Sequence, residues 1–121
     1  MFSFFIFQFF RKVCIALIQM GADINSKDNN RWTPLMWATK SGEEKTVQAL
    51  LHNNASIDLE NIDGNTALHI TAIYGCVGIT KLLLDHGADM AGRNKYDKSV
   101  IDLAVNHDTD EVVMTVIKHE R

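Results

Sequence analysis

Apolar residues along the chain recur with a step of 33 residues. Two adjacent columns comprise Leu17, Leu50, Leu83 and Val116, and Ile18, Leu51, Leu84 and Ile117. Within one unit, Ile79, Leu82 and Leu83 stand at i, i+3 and i+4, the spacing of a single apolar helix face. A fixed period of this length predicts one supersecondary unit copied along a stack, with the columns forming a continuous core.

The most complete unit predicts two helices joined by a turn. Thr66 can cap the first helix, predicted over residues 67–74, and Gly75 ends it. The second helix is predicted over residues 77–85, and Gly87 stands in the C′ position that favours glycine. An extended, hairpin-like connection then leads into the next unit.

Turn residues precede each first helix. In the segment Asn61-Ile62-Asp63-Gly64-Asn65, the glycine can take a positive φ without steric cost, and the Asn and Asp side chains can bond nearby backbone. In the first unit Pro34 follows Thr33, a position where a first-turn proline loses no hydrogen bond.

These residues resemble the ankyrin repeat family. The motifs that carry the resemblance are Thr66-Ala67-Leu68-His69, Gly75, Leu82-Leu83-Leu84 and Gly87-Ala88, together with Thr33-Pro34-Leu35, Gly42, Leu50-Leu51 and Ala55. The resemblance implies an all-α solenoid of stacked helix-turn-helix units joined by hairpin-like loops. It divides the chain into an atypical apolar segment (1–10), a partial repeat with a second helix and loop (11–27), two repeats (28–60 and 61–93) and a divergent, truncated repeat (94–121).

Several positions depart from the family pattern. Arg31 and Asp97 stand where the hairpin glycine is usual, and Met36 and Asp102 stand where histidine is usual. Asp108 replaces the mid-repeat glycine. The last unit is therefore the most divergent, as a terminal or specialised repeat often is.

The first ten residues break the 33-residue pattern and contain all six phenylalanines of the chain. This run is too short to span a bilayer, which takes about 20 apolar residues. The positive charges follow the run, whereas a secretory signal places them before it. Three interpretations stay open: a non-standard cap on the stack, a tail that touches a membrane, or an artefact of where the chain was taken to start. We expect both ends to have been cut from a longer array.

The charge of the chain limits its possible partners, and its cysteine content indicates its location. The net charge is −3 and the 12 basic residues are dispersed, so we do not expect a nucleic-acid partner. Cys14 and Cys76 lie 62 residues apart in predicted helices, which favours a reducing, cytoplasmic location over a secreted disulfide scaffold.

No catalytic constellation stands out, and we expect no enzyme activity, metal, cofactor or small-molecule substrate. The five histidines are spread over the repeats without the i, i+4 spacing of a helical metal site. His69 is expected to bond to Thr66 within its own turn. Cys76 is the better candidate for a reactive thiol because it starts a helix, although an inert thiol is the favoured interpretation.

The two tryptophans are predicted to differ in environment. Trp37 shares its position with Ile70 and Leu103, which predicts a core residue. Trp32 shares its position with Asn65 and Lys98, just before the helix cap, which predicts an exposed residue suited to anchor a contact. The alternative is that Trp32 packs on the neighbouring repeat.

The family resemblance implies a protein partner, bound by the hairpin tips and the exposed side of the short first helices. We call this surface the ridge. By position it comprises Asn29, Asn30, Trp32, Lys40 and Ser41, then Ile62, Asp63, Asn65, Ile73 and Tyr74, then Lys95, Tyr96, Lys98, Asn106 and His107. Binding would depend on shape and a few aromatic anchors.

A narrower resemblance suggests what kind of protein contains these repeats. The stretches 63–69 and 111–117, with the weakly conforming last unit, look like the last ankyrin repeats of the cytosolic amino-terminal region of A-type transient receptor potential channels. The chain would then be a fragment of a channel subunit without the pore, on the cytosolic face of a membrane. The alternative is a free-standing cytosolic adaptor that recruits one protein partner.

Overall fold

A computed structural model describes residues 16, 19–21 and 23–120 of the chain. Within these ranges it contains helices and no strands: α1 (Pro34–Lys40), α2 (Glu44–His52), α3 (Ala67–Tyr74), α4 (Val77–Asp85), α5 (Val100–Asn106) and α6 (Asp110–Glu120). The all-α fold is confirmed. The predictions for residues 1–10, Cys14, Leu17 and Ile18 lie outside the described residues, and the proposed repeat boundaries stay a prediction.

The helices stack in two layers. The first helices α1, α3 and α5 pack side by side, and so do the second helices α2, α4 and α6. Each first helix also packs on the second helix that follows it. The layers bury an apolar seam that runs through all three units.

The predicted apolar columns form this seam. Leu50 and Leu83 are 0% exposed and Val116 is 1% exposed, so the column is fully buried along its described length. In the next column Leu51 and Leu84 are buried and Ile117 is half-buried. Burying one such leucine stabilises the fold by about 1.5–3 kcal/mol, so the seam is a main source of stability.

Each first helix begins at a hydroxyl cap, as predicted for Thr33 and Thr66. Their side chains, and that of Ser99, accept a hydrogen bond from the backbone N–H three residues later. The residue that supplies this N–H differs: it is Met36, His69 or Asp102. Only the histidine and the aspartate return a bond to the cap backbone, which completes a capping box.

Left-handed backbone recurs at fixed places in the repeat. At the hairpin tip Arg31, Gly64 and Asp97 have φ of 63°, 75° and 60°. A β-turn followed by one such residue is the geometry of a three-residue hairpin loop. Gly64 cannot be replaced easily, because a Cβ there would lie 2.6 Å from the backbone nitrogen of Lys95.

Candidate protein-binding surface

The hairpin tips are held by one acceptor side chain at the start of each loop. Asp28, Asn61 and Asn94 occupy equivalent positions, and the Oδ1 atom of each accepts two backbone N–H groups at 2.9–3.1 Å. The donors are Asn30 and Trp32, Asp63 and Asn65, and Tyr96 and Lys98, respectively. Each loop is therefore fixed by its own side chain.

Neighbouring tips are also joined to each other through the backbone. The N–H of Ile62 donates to the carbonyl of Asn30, and the N–H of Lys95 donates to the carbonyl of Asp63, both at 3.0 Å. The three hairpins consequently form one continuous, pre-ordered row.

The structure exposes most of the predicted ridge. The exposed members are Asn29, Asn30, Lys40, Ile62, Tyr74, Lys95, Tyr96, Lys98, Asn106 and His107; Trp32, Ser41, Asp63 and Ile73 are half-buried. Three large side chains are well exposed: Ile62 at 52%, Tyr74 at 49% and Tyr96 at 62%. They give the ridge more apolar surface than a merely solvated edge requires.

Asn65 does not belong to the ridge, and its predicted exposure is wrong. It is buried, and its Oδ1 accepts a hydrogen bond of 2.8 Å from Nδ2 of Asn94. A buried amide needs such a partner, and the next hairpin supplies it. Asn65 therefore joins two repeats.

The structure differs from the predicted environment of each tryptophan. Trp37 is 39% exposed, whereas Trp32 is half-buried. The indole Nε1 of Trp37 donates to Oδ2 of Asp28 at 3.0 Å, which turns the ring toward the hairpin instead of the core. Trp32 then packs on it, with ring centroids 4.8 Å apart and planes 38° from parallel.

The two indoles are part of an aromatic cluster that comprises Trp32, Trp37, Lys40 and Tyr74. The Nζ of Lys40 lies 5.7 Å from the Trp32 ring centroid, 5.4 Å from that of Trp37 and 5.8 Å from that of Tyr74. These distances are within the range of cation–π attraction. Since Tyr74 comes from α3 and the other members from the preceding unit, the cluster bridges two repeats.

Asp28 positions both indoles of the cluster. The backbone N–H of Trp32 holds the pKa of the Asp28 carboxyl below its ordinary value, against a partial desolvation, and the Trp37 indole and the Asn30 N–H act in the same direction. The group is thus a carboxylate at neutral pH, with Oδ1 committed to the loop and Oδ2 to Trp37.

His69 has a structural role, and its predicted bond to Thr66 is confirmed. The side chain is 1% exposed. Its Nδ1 lies 2.9 Å from Oγ1 of Thr66, and its Nε2 lies 3.1 Å from the carbonyl oxygen of Gly92. A carbonyl requires a donor, so Nε2 carries the proton and Nδ1 accepts. Burial lowers the pKa of His69, which favours this neutral form.

The surroundings of Cys76 oppose a thiolate, despite its position at the start of a helix. Burial raises the pKa of its thiol, and the negative charge of Glu44 raises it further. Its Sγ donates to the carbonyl of Thr39 at 3.4 Å. The inert interpretation is therefore the one that the structure supports.

The described part of the chain contains neither a cluster of metal-ligating side chains nor a membrane-spanning helix. There, no group of three or more His, Cys, Asp or Glu side chains could hold a metal ion. Across the same residues, every helix is too short or too polar to cross a membrane.

Comparison with known proteins identifies the repeat. A sequence model described as ankyrin repeats (3 copies) matches residues 8–61 and 53–121. The chain belongs to the ankyrin repeat family. Repeats of this family typically act as non-catalytic modules for protein–protein interaction, and the match supports a protein-interaction module here.

Individual relatives of these ankyrin repeats are much longer proteins. The SMC5-SMC6 complex localization factor protein 1 of Bos taurus and that of Homo sapiens are each 37% identical to the chain over 90% of its length. The Caenorhabditis elegans homologue of transient receptor potential cation channel subfamily A member 1 is 36% identical over 71% of the chain. The chain spans only 10%, 11% and 7% of these three proteins, respectively.

Sequence reasoning missed two residues of this surface, Trp37 and Asp28. A signal for the second was present, because Asp28 stands where the other hairpins have Asn61 and Asn94. A carboxylate at a position that otherwise holds an amide offers a second acceptor oxygen in place of a donor. Only an N–H group nearby, such as an indole, makes that exchange favourable.

Proposed function

We propose that these ankyrin repeats bind a protein partner through the ridge and catalyse no reaction. The observation that carries this proposal is the pre-ordered row of hairpin tips, on which Ile62, Tyr74 and Tyr96 expose apolar and aromatic surface. Interface energy is concentrated in a few such side chains, with tyrosine and tryptophan enriched among them.

The fixed hairpins reduce the cost of binding. Each tip already has its loop amides bonded to Asp28, Asn61 or Asn94, so a partner does not have to order them. Since ordering of loops and side chains opposes association, a pre-ordered ridge leaves more of the contact energy for affinity.

The finer proposal is that the chain comes from the cytosolic amino-terminal region of an A-type transient receptor potential channel subunit. The match to the Caenorhabditis elegans homologue supports it. There the repeats would pack within the channel and pass conformational signals. The second candidate is a free-standing cytosolic adaptor that recruits one protein partner. The localization factor proteins, which match more of the chain than the channel homologue does, are relatives whose names do not describe a channel. A cytosolic location is proposed in both cases.

The full reading frame around this chain tests the channel proposal. Several apolar segments of about 20 residues downstream of residue 121 are expected for a channel subunit. A reading frame that ends or enters a different domain without such segments would overturn it.

Site-specific photocrosslinking tests the ridge itself. A photoreactive phenylalanine derivative replaces Tyr96, which is 62% exposed on the ridge, or Gln48, which is exposed on the second helix α2. In the cells of origin, irradiation is expected to link a discrete partner protein to the Tyr96 derivative and much less of it to the Gln48 derivative. Equal yields at both positions, or none at Tyr96, would contradict the proposal.

A further inference from the structure

The aromatic cluster holds a cation that has no carboxylate partner in the described part of the chain. Lys40 is exposed, and its Nζ is surrounded by three ring faces within 6 Å, whereas the ion pairs of the described residues involve other side chains. The ring quadrupoles attract the ammonium but do not neutralise it. The cluster therefore presents a positive charge framed by apolar surface.

Asp28 contacts the cluster, and both of its carboxylate oxygens already accept hydrogen bonds. Asp28 uses Oδ1 for the backbone N–H groups of Asn30 and Trp32, and Oδ2 for the indole of Trp37. It serves to fix the two rings in place. An anion from a partner could therefore pair with Lys40 without disturbing the hydrogen bonds of Asp28.

The ridge around the cluster is also biased toward positive charge. Hairpin residues 28–32, 61–65 and 94–98, together with Lys40, carry four basic side chains (Arg31, Lys40, Lys95 and Lys98) and three acidic ones (Asp28, Asp63 and Asp97), although the whole chain carries a net charge of −3. Oδ1 of Asp63 accepts a hydrogen bond of 3.2 Å from the Tyr96 hydroxyl. This local excess opposes the overall charge and complements an acidic surface.

We propose that the aromatic cluster is the anchor for an acidic segment of the protein partner. A partner Asp or Glu carboxylate pairs with Nζ of Lys40, and an apolar partner side chain beside it packs on the exposed faces of Trp37 and Tyr74. This inference rests on the proposed function and adds the chemical class of the partner to it.

A cationic partner group is disfavoured by the same geometry. Lys40 already occupies the space over the three rings, so an incoming lysine or methyl-lysine would have to displace it. The displaced ammonium would remain close to the incoming one, and like charges repel. An anion gains an ion pair with Lys40 and does not compete with it for the ring faces.

Peptide selection on the full chain tests the predicted charge preference. A random 12-residue phage-displayed library is selected on the unmodified chain, on Lys40→Gln, on Lys40→Glu and on Lys81→Gln, a control at an exposed position of α4. On the unmodified chain and on Lys81→Gln we expect Asp and Glu to be enriched at least threefold next to apolar residues. The enrichment should vanish on Lys40→Gln and change to Lys and Arg on Lys40→Glu.

The two tryptophans of the chain both lie in the cluster, so intrinsic fluorescence reports binding at this site directly. An enriched peptide and its Glu→Gln version are titrated against the unmodified chain and Lys40→Gln. On the unmodified chain the Gln version should bind about tenfold more weakly, whereas on Lys40→Gln the two peptides should bind equally. Thermal melting followed by circular dichroism checks that the Lys40 variants remain folded.

Three results would overturn the inference: no enriched peptide, an enriched pool without acidic bias, or an acidic bias that persists on folded Lys40→Gln. A pool rich in basic residues on the unmodified chain would instead indicate a cationic partner. If crosslinking from Tyr96 still captures a partner in any of these cases, the proposed ridge function stands and only the acidic anchor fails.

Discussion

The two junctions between neighbouring hairpins have the same backbone hydrogen bond, but their side-chain contacts differ. At the junction of the second and third hairpins, Asn94 bonds to buried Asn65, and His69 reaches the carbonyl of Gly92. At the junction of the first and second hairpins, Trp32 replaces the asparagine and Met36 the histidine. At the junction of the second and third hairpins, which we call the polar junction, the asparagine and histidine side chains are buried and hydrogen-bonded to each other or to backbone. At the junction of the first and second hairpins, the aromatic junction, rings and a cation lie at the surface. In this stack the hairpin backbone is alike at both junctions, and the side chains determine which junction exposes a surface for a partner.

The largest effect is expected when a Cβ is added at the second hairpin tip. Gly64→Ala forces a side chain into left-handed backbone and against the Lys95 nitrogen, which breaks the link between hairpins. We expect a loss of about 3 kcal/mol in the free energy of unfolding, measured by urea denaturation. The matched control is Arg31→Ala at the first tip, where a non-glycine residue already has φ of 63°. At that tip we expect the free energy of unfolding to change by no more than about 0.5 kcal/mol. Equal losses for Gly64→Ala and Arg31→Ala would contradict the expected difference between the two tips.

Removal of the buried histidine should open the polar junction. His69→Ala leaves the Thr66 N–H and the Gly92 carbonyl without their partner, and it creates a cavity. The expected loss is about 2 kcal/mol in the free energy of unfolding. Chemical denaturation of His69→Ala beside Asp102→Ala provides the comparison, because Asp102 caps Ser99 from a more exposed position. The aspartate variant should lose less than the histidine variant.

The buried amide pair should contribute less than the histidine. Asn65→Ala leaves Nδ2 of buried Asn94 without its acceptor, which is expected to cost about 1–2 kcal/mol. Asn30→Ala, at an exposed hairpin position, serves as the control in the same thermal unfolding experiment and should be nearly neutral. If both variants melt together, Asn65 does not join the repeats as described.

A smaller effect is expected from acidification. Burial lowers the pKa of His69, so the folded chain binds this proton less readily than the unfolded chain, where histidine titrates near pH 6.5. The contribution of neutral His69 is therefore complete above about pH 6.5 and declines as the pH falls toward the lower folded pKa. Unfolding free energies measured from pH 7.5 to pH 5 should fall more steeply for the unmodified chain than for His69→Gln. Identical slopes would contradict this assignment.

The smallest change in stability is expected at the aromatic junction. Asp28→Asn copies the residue of the other hairpins and keeps an acceptor for the loop, but it removes one of the two oxygens that bond Trp32 and Trp37. We expect less than about 1 kcal/mol of destabilisation. The tryptophan emission should nevertheless shift to longer wavelength as the rings loosen, which a fluorescence spectrum measures. An unchanged spectrum would show that Asp28 does not position the rings.

Local chemistry made much of the fold predictable. Thr66 as a helix cap, Gly75 and Gly87 as helix ends and Leu50 and Leu83 as core residues were all predicted from neighbours within a few positions or from the repeated step. The exposure of Trp37 was not predictable in this way. Its column contains Ile70 and Leu103, but neither has an N–H group that needs an acceptor.

Sequence alone determined the 33-residue step, the helix caps, the left-handed backbone at Gly64 and the apolar columns, because each depends on contacts within a turn or on a pattern repeated along the chain. Tertiary structure decided that Asn65 is buried, that burial and Glu44 raise the pKa of Cys76, and that Lys40 meets rings from two repeats. These outcomes depend on side chains about one repeat away, whose distances are set only when the units stack.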